Sequence, residues 1–348
     1  MADNVRVAIL GATGYGGVGV ASCLLSHPAA ELVWVGSNTF AGRPLAEACP
    51  WLRSLTQLVC RPENPEEAGR EADVVFMAMQ KGDAMKWAPI VLGLGKRVID
   101  LSGDFRLRDP KVYEEWYGIA HSSPELCAEA VYGLPELHEH KIRVARLVAN
   151  TGCYPVGPIL GLYPLLREGL IEPQGIVVDA KSGVSGAGRA RHTLAYHFPE
   201  LNESMAAYRV GEHQHTPEIE QALSEAAGRG VLVSFTPHLI PVTRGIVATM
   251  YATARSEADE CRHALLAAYG NRPFVRVLPE GQCPSTKATF ASNFCDLAVF
   301  DDRRTGRVIV LSALDNLARG AATQAVQAMN IMLGLEQRLG LPAVPVFP

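Results

Sequence analysis

Apolar residues come in short dense runs along this chain, and their spacing separates two regions. In the first, runs at 5–10, 31–36, 73–79, 97–101 and 146–149 have the length and β-branched content of buried strands. Helical patterns that reach to about residue 26, and that cover 82–94 and 156–167, alternate with them. Strands apolar throughout, separated by helices, predict a doubly wound parallel sheet covered on both faces. Past residue 153, runs at 175–180, 231–236, 245–254, 274–278, 296–300 and 307–312 follow one another with few helices between. That pattern predicts a mixed or antiparallel second sheet. A last helical pattern, 317–339, comes after this sheet is complete. The expectation is an α/β protein: a Rossmann-like doubly wound domain over 1–150, completed by a C-terminal helix at 315–340, and an α+β domain over 151–314.

The first run ends in Gly11-Ala12-Thr13-Gly14-Tyr15-Gly16-Gly17, and a helical pattern follows at once. Glycines at 11, 14 and 17 between a strand and a helix are a variant of the dinucleotide fingerprint: they permit the turn and bring backbone close to a pyrophosphate at the helix N-terminus. Gly11, Thr13, Gly14, Tyr15, Gly16 and Gly17 are the candidate cofactor contacts. An NAD-binding chain of this kind places an acid at the end of the second strand, on the ribose 2′-hydroxyl. Here Ser37 and Asn38 stand there, with Arg43 shortly after. With no carboxylate to repel a 2′-phosphate and a cation in reach, the pattern points to NADP, with Ser37, Asn38 and Arg43 at its adenosine end. Residues 61–70 read as a polar excursion with no assigned role.

Asn150-Thr151-Gly152-Cys153-Tyr154-Pro155 joins the 146–149 strand to a helical pattern. Gly152 permits a sharp turn, and Pro155 suits a first helical turn, where its missing N–H would be unpaired anyway. Cys153 therefore falls at a helix N-terminus, where the dipole and unpaired N–H groups favour the thiolate. From these residues alone a buried structural cysteine reads equally well. A thiolate nucleophile needs an imidazole and the imidazole an orienting group. Gly211-Glu212-His213-Gln214-His215-Thr216-Pro217-Glu218 offers His213, His215 and Glu218 just before a helix. Zinc is a poor rival, since no third ligand accompanies the two histidines. Ser102 and Arg106 follow a parallel strand at the end where open sheets bind ligands. Lys181-Ser182-Gly183-Val184-Ser185-Gly186-Ala187-Gly188-Arg189 sets small residues and a guanidinium after another strand, a pattern that wraps donors around an anion.

Composition removes other classes. A formal net charge of −4 gives no basic surface for nucleic acid. No apolar run approaches the ~20 residues that span a bilayer, and no signal-peptide pattern precedes the first strand. Eight cysteines occur without any C-x-x-C pair, which points to reduced thiols and a cytoplasmic protein.

Together these strings resemble the N-acetyl-γ-glutamyl-phosphate reductase family, related to aspartate-semialdehyde dehydrogenase. The resemblance spans the chain: the glycine turn, Asp100-Leu101-Ser102-Gly103-Asp104-Phe105-Arg106, Gly152-Cys153-Tyr154-Pro155, the 182–189 string, His213 to Ile219, Phe235 to Gly245, and Asp315-Asn316-Leu317-Ala318-Arg319-Gly320. The family usually has Asn-Pro-Gly-Cys, His-Arg-His and a Ser-Arg pair, where this chain has Thr151, Gln214 and Ser37-Asn38. The resemblance implies Cys153 as nucleophile, His213 as its acid/base partner, and an NADP-binding first domain that includes Asn316. For the chemistry this supports, the Cys153 N–H and a protonated His213 are the expected oxyanion stabilisers, Glu218 is the candidate orienter, and Ser185 and Gly186 are further candidates on the cofactor side. Ser102, Arg106, Asn150, Ser182, Arg189 and His215 are then candidates for an acyl-phosphate substrate, and the protein is expected to be a homo-oligomer, dimer or tetramer. A lysine-pathway reductase acting on an N-modified aminoadipyl phosphate is the neighbouring reading. A non-catalytic NADP-binding regulator would keep the glycines but has no need of Cys153, His213 and Arg189 together.

Overall fold

β1 (Val5–Leu10) explains why the first-region strands are apolar throughout. Its Val7 and Ile9 enter one buried cluster and its Ala8 and Leu10 another, so neither face meets water. Burying a side chain of this size is worth roughly 1.5–3 kcal/mol. The computed structural model describes residues 4–190 and 193–347. In its first unit β1 pairs with β2 (Ala30–Val35) and β3 (Val74–Met77). These continue through β4 (Arg97–Asp100), β5 (Val131–Gly133) and β6 (Leu147–Asn150) in the order β2-β1-β3-β4-β6-β5, every pairing parallel. The helices Tyr15–Leu24 and Thr323–Met332 cover one face; Pro65–Glu71 and Ala84–Gly93 cover the other. This is the expected Rossmann-like doubly wound sheet, and its order reverses between β1 and β3, the switch point at which such sheets bind ligands. The unit comprises Met1–Thr151, Gly188–Ala190 and Ala321–Pro342.

The last helix is shorter than its sequence pattern suggests. A π-helical turn, Ala318–Ala322, precedes the α-helix Thr323–Met332, and the chain then folds back. Gly334 at φ +72° ends it, and Asn330 Nδ2 donates to the carbonyls of Leu339 (2.9 Å) and Gln337 (3.3 Å) on the returning segment. Apolar residues past 333 pack as a return strap, which continues the spacing without continuing the helix.

The second unit, Gly152–Ala187, Arg191–Gly320 and Ala343–Pro348, holds the other sheet. Its strands are β7 (Ile176–Ser182), β8 (Ala206–Ala207), β9 (Val233–Leu239), β10 (Ile246–Thr253), β11 (Val275–Val277), β12 (Cys295–Asp302) and β13 (Arg307–Leu314), in the order β11-β12-β13-β10-β7-β9-β8. β7 pairs parallel with β9 and antiparallel with β10, so the sheet is mixed, as expected. Burial alternates strictly along β7 and β10. One face packs under the helices Cys153–Arg167 and Ala258–Tyr269, and the period-two sequence pattern follows from that one-sided cover. Among the described residues no helix is long and apolar enough to cross a membrane.

Candidate active site

The helix that starts at Cys153 is capped by Gly152 in an extended conformation (φ −65°, ψ 153°) with no side-chain cap. Its first-turn N–H groups are therefore left for a ligand or a developing negative charge. Gly152 N–H donates to Glu218 Oε1 at 2.7 Å. A Cβ at position 152 would lie 2.5 Å from His215 Nε2 and 2.8 Å from Glu218 Oε2. Only glycine lets the imidazole edge and the carboxylate pack onto the backbone directly before Cys153. They reach it together because the helix Thr216–Ala227 begins right after His215, which sets Glu218 three residues on, on the same face. Glu218 is 1 % exposed and His215 8 %.

His213 does something else. Its Nδ1 accepts the His215 N–H at 3.1 Å, which assigns its proton to Nε2. Its ring packs edge-on against Tyr154 (5.5 Å), Tyr208 (5.6 Å) and Phe235 (5.4 Å). Burial among these rings, with Arg209 near, pushes its pKa down to about 4. The sequence reading of a protonated His213 is corrected on this point: at neutral pH it is an uncharged donor, and His215 is the imidazole seated beside Gly152 and Glu218. Tyr208, which no sequence motif marks, donates to the Tyr154 hydroxyl at 3.1 Å, and burial, with a smaller contribution from nearby Cys153, raises its pKa. Strand β8, which brings it here, is two exposed alanines long.

Cys153 is half-buried and Cys283 exposed; the other six cysteines are buried. Burial pushes the thiols of Cys60 and Cys127 up to about 11 and those of Cys23 and Cys261 to about 12. No cluster of His, Cys, Asp and Glu that would hold a metal occurs among the described residues.

The remaining candidates divide between the units. In the second, Asn316 Nδ2 donates to Ser185 Oγ (3.0 Å) and its Oδ1 accepts the Gly245 N–H (2.7 Å), so its amide ties the 184–187 turn to the residue that leads into β10. Gly186 is exposed on that turn, and Ser182 Oγ donates to the Gly183 carbonyl. In the first unit, Arg106 Nε donates to the Asn150 carbonyl at 2.7 Å, Asn150 Nδ2 donates to Ala321 O, and Ser102 Oγ accepts the Asp104 N–H.

Two candidate arginines have partners within the first unit. Arg189 belongs to the first unit, where its guanidinium donates to Thr13 O (3.1 Å) and Ala48 O (2.8 Å). The Gly188 bend (φ +86°) precedes it, and its contacts place it at the glycine turn. Arg43 is committed to Glu47 (2.9 Å), to the Thr39 carbonyl and to the Phe40 ring. At the glycine turn, φ is +79° at Gly11, and a Cβ at Gly17 would lie 2.2 Å from Gly11 O. The helix Tyr15–Leu24 opens at Gly14 with no capping side chain and no acid in its first turn. Thr13 Oγ1 and Ser37 Oγ are 2.8 Å apart beside it.

Residues 6–145 match the semialdehyde dehydrogenase NAD binding domain, and residues 153–316 the semialdehyde dehydrogenase dimerisation domain. The chain is 51 % identical over 349 residues to an N-acetyl-gamma-glutamyl-phosphate reductase of Symbiobacterium thermophilum, covering 99 % of this chain and 100 % of that one. It is 49 % identical over 346 residues to the protein of that name from Pelotomaculum thermopropionicum, covering 99 % of each. In fold it is similar to aspartate semialdehyde dehydrogenase II of Vibrio cholerae (TM-score 0.73, 18 % identity, 95 % of this chain and 99 % of that). It is also similar to the aspartate semialdehyde dehydrogenase of Candida albicans crystallised with NADP (TM-score 0.69, 16 % identity, 95 % and 99 %).

Proposed function

Because the chain belongs to the N-acetyl-γ-glutamyl-phosphate reductase family of semialdehyde dehydrogenases, we propose that it reduces N-acetyl-L-glutamyl 5-phosphate to N-acetyl-L-glutamate 5-semialdehyde and phosphate with NADPH, in arginine biosynthesis. The observation that carries this reading is the packing of His215 and Glu218 onto Gly152 at the helix start that holds Cys153. His215 takes the thiol proton, and Glu218 offsets the charge that the imidazole gains. The Cys153 thiolate attacks the acyl carbon; the carbon–oxygen bond to phosphate breaks, phosphate leaves, and a thioester remains on Cys153. NADPH, when bound, supplies the hydride that reduces this thioester. The resulting alkoxide is held by the Cys153 N–H and by the neutral His213 Nε2–H, and as the carbon–sulfur bond breaks the aldehyde forms and the thiolate returns.

The residues present suit the cofactor. The uncapped, acid-free N-terminus of Tyr15–Leu24 leaves N–H groups for a pyrophosphate, and Thr13, Ser37 and Arg189 lie alongside. Arg106, Asn150, Ser102 and Ser182 are assigned to the acyl phosphate, and Ser185, Gly186 and Asn316 to the nicotinamide side. The domain division of the proposal is a cofactor-binding domain over 1–150 with 315–340, and a catalytic domain over 151–314 through which the chain forms a homo-oligomer, in the cytoplasm. The test is the reverse reaction. N-acetylglutamate semialdehyde, NADP⁺ and phosphate should give NADPH absorbance that depends strictly on phosphate. Turnover without phosphate, or only with a semialdehyde one carbon longer, would overturn the assignment.

A further inference from the structure

The polar stretch after residue 60 has a place at the glycine turn. Arg61 N–H donates to the Val35 carbonyl (2.9 Å) and Ser37 N–H to the Arg61 carbonyl (2.9 Å), so this segment runs as a rail beside the end of β2. Two residues on, the rail delivers Glu63 to Asn38 and Gly11, beyond the C-terminal ends of β2 and β1. Glu63 N–H donates to Asn38 Oδ1 (3.0 Å), and Asn38 Nδ2 donates to Glu63 Oε2 (3.1 Å), a two-point clamp. Burial lifts the Glu63 carboxyl above its usual range, the nearby Gly11 backbone amide works the other way, and nearby Asp83 adds to the lift.

This is the end of the β1–turn–β2 unit at which dinucleotide sites read the ribose, with an acid that accepts its 2′-hydroxyl. The residues just after β2, Ser37 and Asn38, supply none. We propose that Glu63, carried in by the following segment, takes that place: its carboxylate accepts the 2′-hydroxyl of NAD(H) and opposes the 2′-phosphate of NADP(H). The nearby cations divide into two kinds. Arg43 is neutralised by Glu47 and Arg61 by Glu71. The partners of Arg189 at Thr13 and Ala48 are carbonyls, which leave its positive charge in place to attract a phosphate. Glu63 and Arg189 therefore pull in opposite directions, and the chain turns over NADH as well as NADPH, with a preference of about tenfold or less.

The inference rests on the proposed function only in that a nicotinamide dinucleotide binds at the glycine turn. The test measures the dissociation constants of NADPH and NADH by fluorescence titration of the full-length chain, and kcat/KM with each. Glu63→Gln should raise the NADPH-to-NADH ratio at least about tenfold, through KM and binding, with kcat little changed. Asn38→Arg, which gives Glu63 a guanidinium partner, should move the ratio the same way, and carries the test if Glu63→Gln does not fold. Arg189→Ala should move it towards NADH. A wild-type preference for NADPH well above tenfold, or ratios within twofold of wild type in both Glu63→Gln and Asn38→Arg, would overturn the inference while leaving the reductase reading intact. Failure of both cofactors to bind would overturn both.

Discussion

His213 and His215 are two residues apart and differ in almost every physical respect. His215 meets the backbone before Cys153 and shares that contact with Glu218, whereas His213 is packed among aromatic rings and kept uncharged. If His215 is the base, His215→Asn should lower kcat by about 10²–10⁴ and slow alkylation of Cys153 by iodoacetamide at pH 7. His213→Asn should lower kcat by about 10²–10³, as loss of an oxyanion donor does, yet leave the alkylation rate near wild type. The opposite pattern of alkylation rates would return the base to His213. Stability gives a second check. A histidine held at about 4 against an ordinary 6.5 binds its proton more readily unfolded than folded, so its contribution is fully present above pH 6.5 and is lost as pH falls towards 4. The full loss is about 3 kcal/mol. Asp100 works against it: burial, then Asp104, lifts its carboxyl to about 6, so it costs stability as pH rises through the same window. The difference between wild type and His213→Asn in urea unfolding at pH 7 and pH 4.5 isolates the histidine. Equal acid losses in the two proteins would mean that His213 is not buried as described.

The histidine choice also marks a limit of sequence reading at the level of elements. An H-x-H string presents two imidazoles alike. What separates them is where the next helix begins, and Thr216 as its first residue is what aligns His215 with Glu218. The long apolar strands and the glycine turn were legible because both faces of the first sheet are buried and the turn needs Gly11 in a left-handed conformation. The helices Pro110–Tyr117, Pro124–Glu129 and Pro135–Val144 went unread, although each opens on a proline at its first position, a start signal that could have found them. The Cys153 helix shows what fixes its seat. It carries Pro158 and Pro164 in its interior and is buried along nearly its whole length, so packing outweighs propensity. Gly157 lies against β13, where a Cβ would stand 2.2 Å from Ser312 Oγ and 2.9 Å from Ser312 Cβ. Gly157→Ala should therefore destabilise the protein by about 1–3 kcal/mol, despite alanine's better helix propensity. A thermal unfolding midpoint equal to or above that of wild type would show that the helix seats less tightly than described.

For the molecule as a whole, the candidate chemistry is legible where its residues are adjacent in the chain, as at Gly152-Cys153. Less legible are residues whose partners depend on a distant turn. Arg189 follows a string that looks like an anion cradle, but the bend at Gly188 takes it to Thr13 and Ala48. Asn38 looks like an open position until Glu63 arrives from 25 residues on. The proposed homo-oligomer should elute with a light-scattering mass that is an integer multiple of the monomer; a monomer at micromolar concentration would contradict it. The proposed reaction passes through a covalent acyl group at Cys153, and that group can be trapped. Full-length protein carrying Cys283→Ser, to remove the one exposed thiol, is mixed with N-acetylglutamyl phosphate in the absence of NADPH, quenched in acid and analysed by peptide mass spectrometry. The expected result is one acyl adduct on the peptide containing Cys153, released by hydroxylamine, absent in Cys153→Ser and discharged to the semialdehyde when NADPH is added. An adduct on another residue, or undiminished turnover by Cys153→Ser, would contradict it.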